Sequence, residues 1–239
     1  MANMAPPSLA LSLAEGIRSV ADAAALPFAW PMLWSAPSGD GHPVMVLPGF
    51  LGSSGSTAIV RRFIESKGYA VFDWGLGRNL GPVATGATGY RLLEQVLRVH
   101  QDTDRKVSLV GWSLGGVMAR EIAKLRPDVV RQVITLGSPF NDGPSASYVW
   151  ELYKLVTGDS GRVDEDFIKS LSAPPPVPST SVYSRTDGVV NWRACIEQEA
   201  DTTDNIEVVA AHCGLGFNSH VYTVIARKLS MPEDGWRKL

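Results

Sequence analysis

The sequence predicts an α/β domain: a six-stranded, mainly parallel sheet flanked by helices. Three observations carry that reading. Short apolar runs bounded by turn residues recur six times, as buried parallel strands do. Amphipathic segments at helical spacing lie between most of them, and strand–helix alternation builds βαβ units. A chain of 239 residues, 45% hydrophobic and 19% charged, is long and apolar enough for one substantial core.

The expected strands are Pro43–Leu47, Tyr69–Trp74, Val107–Val110, Gln132–Leu136, Thr180–Tyr183 and Ile206–Ala210. A helix over Thr57–Ser66 turns Ile59, Val60, Phe63 and Ile64 inward and stops at Gly68. A second covers Tyr90–His100, where Leu92, Leu93, Val96, Leu97 and His100 share a face. A third runs over Leu114–Leu125 and ends ahead of Pro127, which disfavours helical backbone in the residue before it. The last is Val221–Leu229.

Ahead of the first strand, Leu9, Leu13, Ile17, Val20 and Ala24 follow helical spacing. This predicts a helix whose apolar face packs on the body of the protein. The alternative for the same face is contact with a membrane or lipid aggregate, although its polar side carries no Lys-rich stripe. Glu15, Arg18 and Asp22 interrupt the apolar run and no basic segment precedes it, so no signal peptide is expected. A cytoplasmic protein, at most peripheral to a membrane, is the resulting expectation. The organisation is then a lead-in over 1–42 packed on the core and a domain over 43–239. Within the domain, 141–179 breaks the alternation: an amphipathic segment Ser145–Val156, a short one near Asp166–Leu171, and the proline run 174–178. A connection of that length suits a helical lid or cap; one crossover helix with a wandering loop is the plainer alternative.

Charge and motif patterns exclude several function classes. Lys plus Arg number 22 against 24 for Asp plus Glu, so no basic field attracts nucleic acid. Four scattered histidines and two cysteines form no metal-ligand pattern, and neither metal nor cofactor is expected. Gly75, Gly77 and Gly81 miss the dinucleotide fingerprint because the third glycine comes one place late. Arg78 and Asn79 are read instead as ties for the loop near a cleft.

The informative motif is Gly111-Trp112-Ser113-Leu114-Gly115, a G-x-S-x-G between a four-residue apolar strand and an amphipathic helix. A serine on so sharp a turn has a strained backbone, and glycines two residues away let strand and helix approach. The helix N-terminus lends N–H groups and partial positive charge to an anion forming beside Ser113. Ser113 is therefore the candidate nucleophile. Its partners should follow in the order acid, then histidine, each beyond a later strand. His212 enters a glycine-rich loop straight after Ile206–Ala210, whereas His220 opens the last helix; His42 and His100 read as structural. For the acid, Asp187 lies where the Thr180–Tyr183 strand runs out into a turn, with Asp142 as competitor. An oxyanion hole needs two N–H donors: Leu114, and Phe50 in the Pro48–Gly52 loop, with Leu51 as fallback.

On these residues the chain resembles an α/β-hydrolase of the lipase/esterase type. Leu47-Pro48-Gly49-Phe50 stands where such lipases often carry His-Gly-x, Gly111–Gly115 is the elbow, and Tyr183–Val190 and His212–Leu215 fall at the acid and histidine loops. The resemblance spans about 43–229 and implies a minimal six-stranded core; Pro48 in place of the common His is a departure. It implies hydrolysis of carboxylic esters through Ser113, His212 and Asp187, with a thioesterase, acyltransferase or amidase as the alternative on the same triad. Small-molecule or lipid esters are the implied substrates. Leu51, Trp112, Phe140, Trp150 and Phe217 are the expected lining of an apolar acyl pocket. If the triad assembles, the loops of Cys195 and Cys213 adjoin, and both a disulfide and two reduced thiols stay open.

Overall fold

The computed structural model describes residues 5–86, 89–141 and 170–239. Six strands form one sheet: β1 (Pro43–Leu47), β2 (Ala70–Asp73), β3 (Val107–Trp112), β4 (Val130–Leu136), β5 (Ser179–Tyr183) and β6 (Thr203–Glu207). Every neighbouring pair is parallel, in the order β2-β1-β3-β4-β5-β6. The helices are α1 (Leu9–Trp34), α2 (Ala58–Ser66), the single turn α3 (Pro82–Thr85), α4 (Tyr90–Thr103), α5 (Leu114–Leu125) and α6 (Ser219–Leu229).

Side chains alternate across β1, and the alternation sorts the core into two layers. Val44 and Val46 join the layer under α1, α2 and α6, with Val60, Phe63, Tyr222 and Ile225. Met45 and Leu47 join the opposite layer under α4 and α5, with Leu92, Val96, Ala119 and Ile122. A sheet buried on both faces explains why its strands read as continuous apolar runs. β1 hydrogen-bonds β2 on one side and β3 on the other, so the chain leaves the carboxyl ends of β1 and β3 in opposite directions. The crevice at such a switch point is where open α/β sheets hold their ligands.

Two expectations need correction. The last strand starts at Thr203 and ends at Glu207, three residues earlier than the apolar run suggests. Its polar residues are satisfied individually: Thr203 Oγ1 donates to Gln198 O (2.6 Å), Asp204 pairs with Lys228 (2.8 Å), and Asn205 bonds both main-chain groups of Glu197. Val208, Ala210 and Ala211 are buried beyond the strand, in the loop leading to His212. The second correction concerns α1, which is helical as expected but turned over. Leu9, Leu13, Ile17 and Val20 are 69%, 78%, 75% and 68% exposed, while Glu15, Leu26 and Leu33 are its buried residues. The helix also continues through Pro27 and Pro31, where Leu33 and the edge-on contact of Trp30 with Phe63 (6.3 Å) supply the packing that offsets the prolines' cost. The expected insertion falls mostly outside the described residues, Ser145–Val156 and Asp142 included.

This orientation of α1 is testable by denaturant unfolding. Leu33→Ala removes a fully buried side chain and should cost about 2–5 kcal/mol. Leu13→Ser, on the outward stripe, should stay within about 0.5 kcal/mol of the parent. The reverse ranking would mean that α1 packs by its other face.

Candidate active site

β3 passes into α5 through Ser113, whose φ of +52° and ψ of −122° lie in a region that non-glycine residues rarely occupy. The turn is held on several sides. Ser113 N–H donates to Leu136 O (2.8 Å), and Gly116 N–H donates back to Ser113 O (3.0 Å). A side chain on Gly111 would meet Gly116 Cα at 2.3 Å, and one on Gly115 would meet Leu47 O at 2.5 Å. Both motif glycines are therefore demanded by close backbone approach. Leu114 is the first residue of α5, so its N–H belongs to the first turn, whose N–H groups lack intrahelical partners.

The loop after β1 crosses the same end of the sheet, and Asn79 fastens it. Asn79 Nδ2 donates to Pro48 O (2.8 Å), Asn79 N–H donates to Gly52 O (2.7 Å), and Leu51 N–H donates to Asn79 O (2.8 Å). Asn79 is completely buried, as its loop-tying role requires. The bond made by Leu51 N–H engages the fallback oxyanion donor elsewhere. Phe50 stays half-buried in the loop, beside Gly49, whose hypothetical Cβ would sit 3.2 Å from Ser113 Cβ.

Beyond β5 and β6, the acid and histidine loops meet. His212 Nδ1 lies 2.6 Å from Asp187 Oδ2, both residues being buried. The other carboxylate oxygen, Asp187 Oδ1, accepts from Val189 N–H (2.8 Å) and Val190 N–H (2.7 Å), which fixes the carboxylate plane. Burial works against a charged imidazole at 212. The charge and hydrogen bond of Asp187, helped by the Glu15 carboxylate, outweigh it and hold the His212 pKa above the ordinary histidine value. Trp112 Nε1 donates to His212 O (3.1 Å), so the residue before Ser113 grips the histidine loop. Among the described residues no hydrogen bond joins Ser113 Oγ to the imidazole, a looseness common before substrate tightens a site.

The expected acyl lining is scattered. Trp112 and Phe217 meet edge to face at 6.3 Å, and Leu51 is 40% exposed beside the elbow loop. Phe140 is 1% exposed, its ring centroid 3.7 Å from the Arg120 guanidinium, closed off from solvent. Trp150 lies outside the described residues. His220 is exposed on α6, and the cysteines are free thiols, Cys195 buried and Cys213 exposed. Among the described residues no group of His, Cys, Asp and Glu could hold a metal ion.

A second Ser-His-Asp chain occurs at the opposite end of β3. His42 Nδ1 lies 2.5 Å from Asp40 Oδ1, and His42 Nε2 lies 2.8 Å from Ser108 Oγ. His42 and Ser108 are completely buried, and burial pulls the His42 pKa down to about 4 even against Asp40. No substrate reaches this hydroxyl; the chain is a structural tie between the lead-in and β3.

Two residues that sequence reasoning assigned no place in the site prove to border it, Glu15 and Asp22, whereas Asn79 ties the loop near the cleft as expected. Glu15 and Asp22 bond the main chain of the acid and histidine loops from α1. The signal was present in the spacing 15, 18, 22, a polar face at helical period that reads at first as mere interruption of the apolar stripe.

The raised His212 pKa can be checked by NMR titration of the ring. The midpoint should lie above 6.5, the ordinary value. Asp187→Asn leaves burial opposed by less, so the midpoint should fall. A midpoint unmoved by that change would mean that the pair does not form.

Comparison with known proteins agrees with this architecture. Lipase B of Aspergillus fumigatus superposes with a TM-score of 0.62 at 19% identity, over 82% of this chain and 54% of that one. The Bacillus licheniformis lipase BlEst2 superposes with a TM-score of 0.60 at 18% identity, over 82% of this chain and 95% of that one. The sheet and its flanking helices are thus those of the α/β-hydrolase fold. By sequence, a triacylglycerol lipase of Pseudarthrobacter phenanthrenivorans is 28% identical over 135 residues, 53% of this chain and 42% of that protein. The chain therefore spans about two fifths of the length of that curated relative. A model of the PGAP1-like alpha/beta domain matches residues 90–215, more than half of the chain and a stretch that holds Ser113, Asp187 and His212, and the chain belongs to that family.

Proposed function

We propose that the protein is a serine hydrolase that cleaves carboxylic esters. The observation that carries this reading is the 2.6 Å contact of His212 with Asp187 at the end of the sheet where Ser113 occupies a strained, helix-capped turn. Ser113 Oγ attacks the ester carbonyl while His212 Nε2 takes its proton. Asp187 holds the Nδ1–H tautomer and stabilises the imidazolium. The N–H groups of Leu114 and Phe50 receive the oxyanion. His212 returns the proton to the leaving alkoxide, and water then repeats both steps on the acyl-enzyme. The lipase names of the relatives favour esters over the thioesterase, acyltransferase and amidase readings of the same triad.

The outward stripe of α1 extends this reading to a lipid substrate met as an aggregate. Leu9, Leu13, Ile17 and Val20, with Phe28 (88% exposed) and Trp34 (72% exposed), are large apolar side chains exposed along one helix. No helix among the described residues is long and apolar enough to cross a membrane, so the contact is interfacial.

Two outcomes are expected. Ser113→Ala or His212→Ala should lower kcat on p-nitrophenyl esters by on the order of 10⁴–10⁶, and a fluorophosphonate should label the parent at Ser113. Undiminished hydrolysis by a clean Ser113→Ala preparation would overturn the nucleophile. Separately, Leu13→Asp with Ile17→Asp should cut hydrolysis of an emulsified long-chain ester severalfold and spare a soluble short-chain ester. Equal effects on both substrates would remove the interfacial role.

A further inference from the structure

α1 meets the body of the protein through a polar face, and that face is aimed at the two loops that carry Asp187 and His212. Glu15, 8% exposed, sits at the centre of the contact. Gly188 N–H donates to its Oε2 (3.0 Å) and Cys213 N–H donates to its Oε1 (2.8 Å). These are the residues that directly follow Asp187 and His212. One carboxylate thus bridges the main chains of two loops that the β5 and β6 strands deliver separately.

The surroundings reinforce the bridge. Ser12 Oγ donates to Gly188 O (2.6 Å), Arg18 Nη2 donates to Thr186 Oγ1 (2.7 Å), and Arg18 Nη1 donates to Thr186 O. Asp22 Oδ2 accepts from Ala211 N–H (3.0 Å), and Asp22 Oδ1 accepts from Asn218 Nδ2 (3.2 Å). The loops also carry glycine where the helix presses closest. A side chain on Gly188 would meet Leu11 O at 2.4 Å, and one on Gly214 would meet Asp22 Oδ2 at 2.0 Å. The residue types at 188 and 214 thus fit the approach of α1.

A buried carboxylate is a costly way to fasten a helix, because ionised groups desolvate poorly and apolar packing holds helices without that penalty. We propose that Glu15 is a positioning residue of the active site, which registers the acid loop against the histidine loop and adds its negative charge beside the imidazole. The proposal rests on the hydrolase reading. Its physical content is that Asp187 and His212 must stay within hydrogen-bond reach while His212 Nε2 takes and then returns the proton. Two donors anchored on one rigid carboxylate limit how far their backbones drift apart. The charge acts in the same sense as Asp187 on the imidazolium. The charges acting on His212 are those of Asp187 from the acid loop and Glu15 from α1; around them lie the Cys195 thiol behind Asp187, the Cys213 thiol of the same loop as His212, Trp112 from the end of β3, and, on the neighbouring main chain, Asp22 at Ala211 and Arg18 at Thr186.

The test uses three variants of the full chain. Glu15→Gln keeps the shape, loses the charge and leaves one acceptor oxygen for two N–H groups. It should lower kcat about 10- to 100-fold with little change in KM, and the acid limb of kcat/KM should move to lower pH as His212 loses a neighbouring anion. Glu15→Asp keeps the charge but falls one methylene short of both amides, so it should lower kcat while the acid limb stays in place. Ser12→Ala, which loosens the same helix without touching the carboxylate, separates positioning from support. A structural strut would lower Tm in all three and move no acid limb. Parental kcat with an unmoved acid limb in a folded Glu15→Gln would overturn the proposal; if that variant does not fold, parental kcat in Glu15→Asp would do the same. Fluorophosphonate labelling keeps the two readings apart: no labelling of the parent at Ser113 ends the hydrolase reading itself, whereas a labelled parent beside an unaffected Glu15→Gln ends only this inference.

Discussion

A carboxylate and an imidazole meeting at 2.6 Å in a buried setting is the contact on which the candidate site depends. Each group alone would be costly there, since burial disfavours both charges. Together they are tolerable, and the surrounding donors make them more so. Val189 and Val190 N–H groups satisfy the second oxygen of Asp187, and the result is a histidine biased toward its charged form. Such a ring accepts a proton readily, which a general base toward a serine hydroxyl needs. The pair is assembled from loops with no strand in common, so its precision must come from elsewhere in the fold. It comes from three sides: Trp112 on the histidine loop, the β5–β6 pairing beneath, and the polar face of α1 above.

The nucleophile turn follows a different logic. A non-glycine residue at φ +52° costs on the order of 1–3 kcal/mol and persists only where its neighbours over-determine it. Here β3 lies between β1 and β4 in register through Gly111 and Trp112, and α5 presses onto β1 through Gly115. The strained residue is therefore the hinge between two well-packed elements. It also stands at the point where the connections leaving β1 and β3 diverge, which opens the crevice that a reacting carbonyl would need.

Legibility in the sequence tracked how local the determining physics is. The elbow was readable because strand, glycines and helix lie within one short window, and α5 begins and ends at the residues expected of it, Leu114 and Leu125. Strands β1, β3 and β4 were readable because burial on both faces favours apolar residues along most of their length. β6 was misplaced because an edge strand can carry Thr203, Asp204 and Asn205 once distant groups such as Lys228 satisfy them, and no window of sequence contains Lys228 beside Asp204. α1 was misoriented for the same reason. Its apolar stripe is the stronger signal, yet the layer of the core that α1 covers is largely filled by α2 and α6, and α1 adds to it only Leu26, Trp30 and Leu33. The polar face at 12, 15, 18 and 22 finds partners nearly two hundred residues away, and periodicity alone cannot distinguish a solvated face from one that hydrogen-bonds a loop.

The two Ser-His-Asp chains of this molecule show why connectivity by itself decides little. Asp40, His42 and Ser108 reproduce the hydrogen-bonded order of a catalytic triad more completely than Asp187, His212 and Ser113 do, since His42 reaches its serine at 2.8 Å. Yet Ser108 lies at the start of β3 with no exposed surface, and burial holds His42 neutral. The other set has a looser serine but everything that chemistry requires around it: a histidine biased toward proton uptake, a hydroxyl at the head of α5, and a crevice set by the sheet's topology. What sets the candidate triad apart from the structural tie is therefore the place of its hydroxyl at the carboxyl end of the strands and the electrostatics of that place, not the distances within the chain of three.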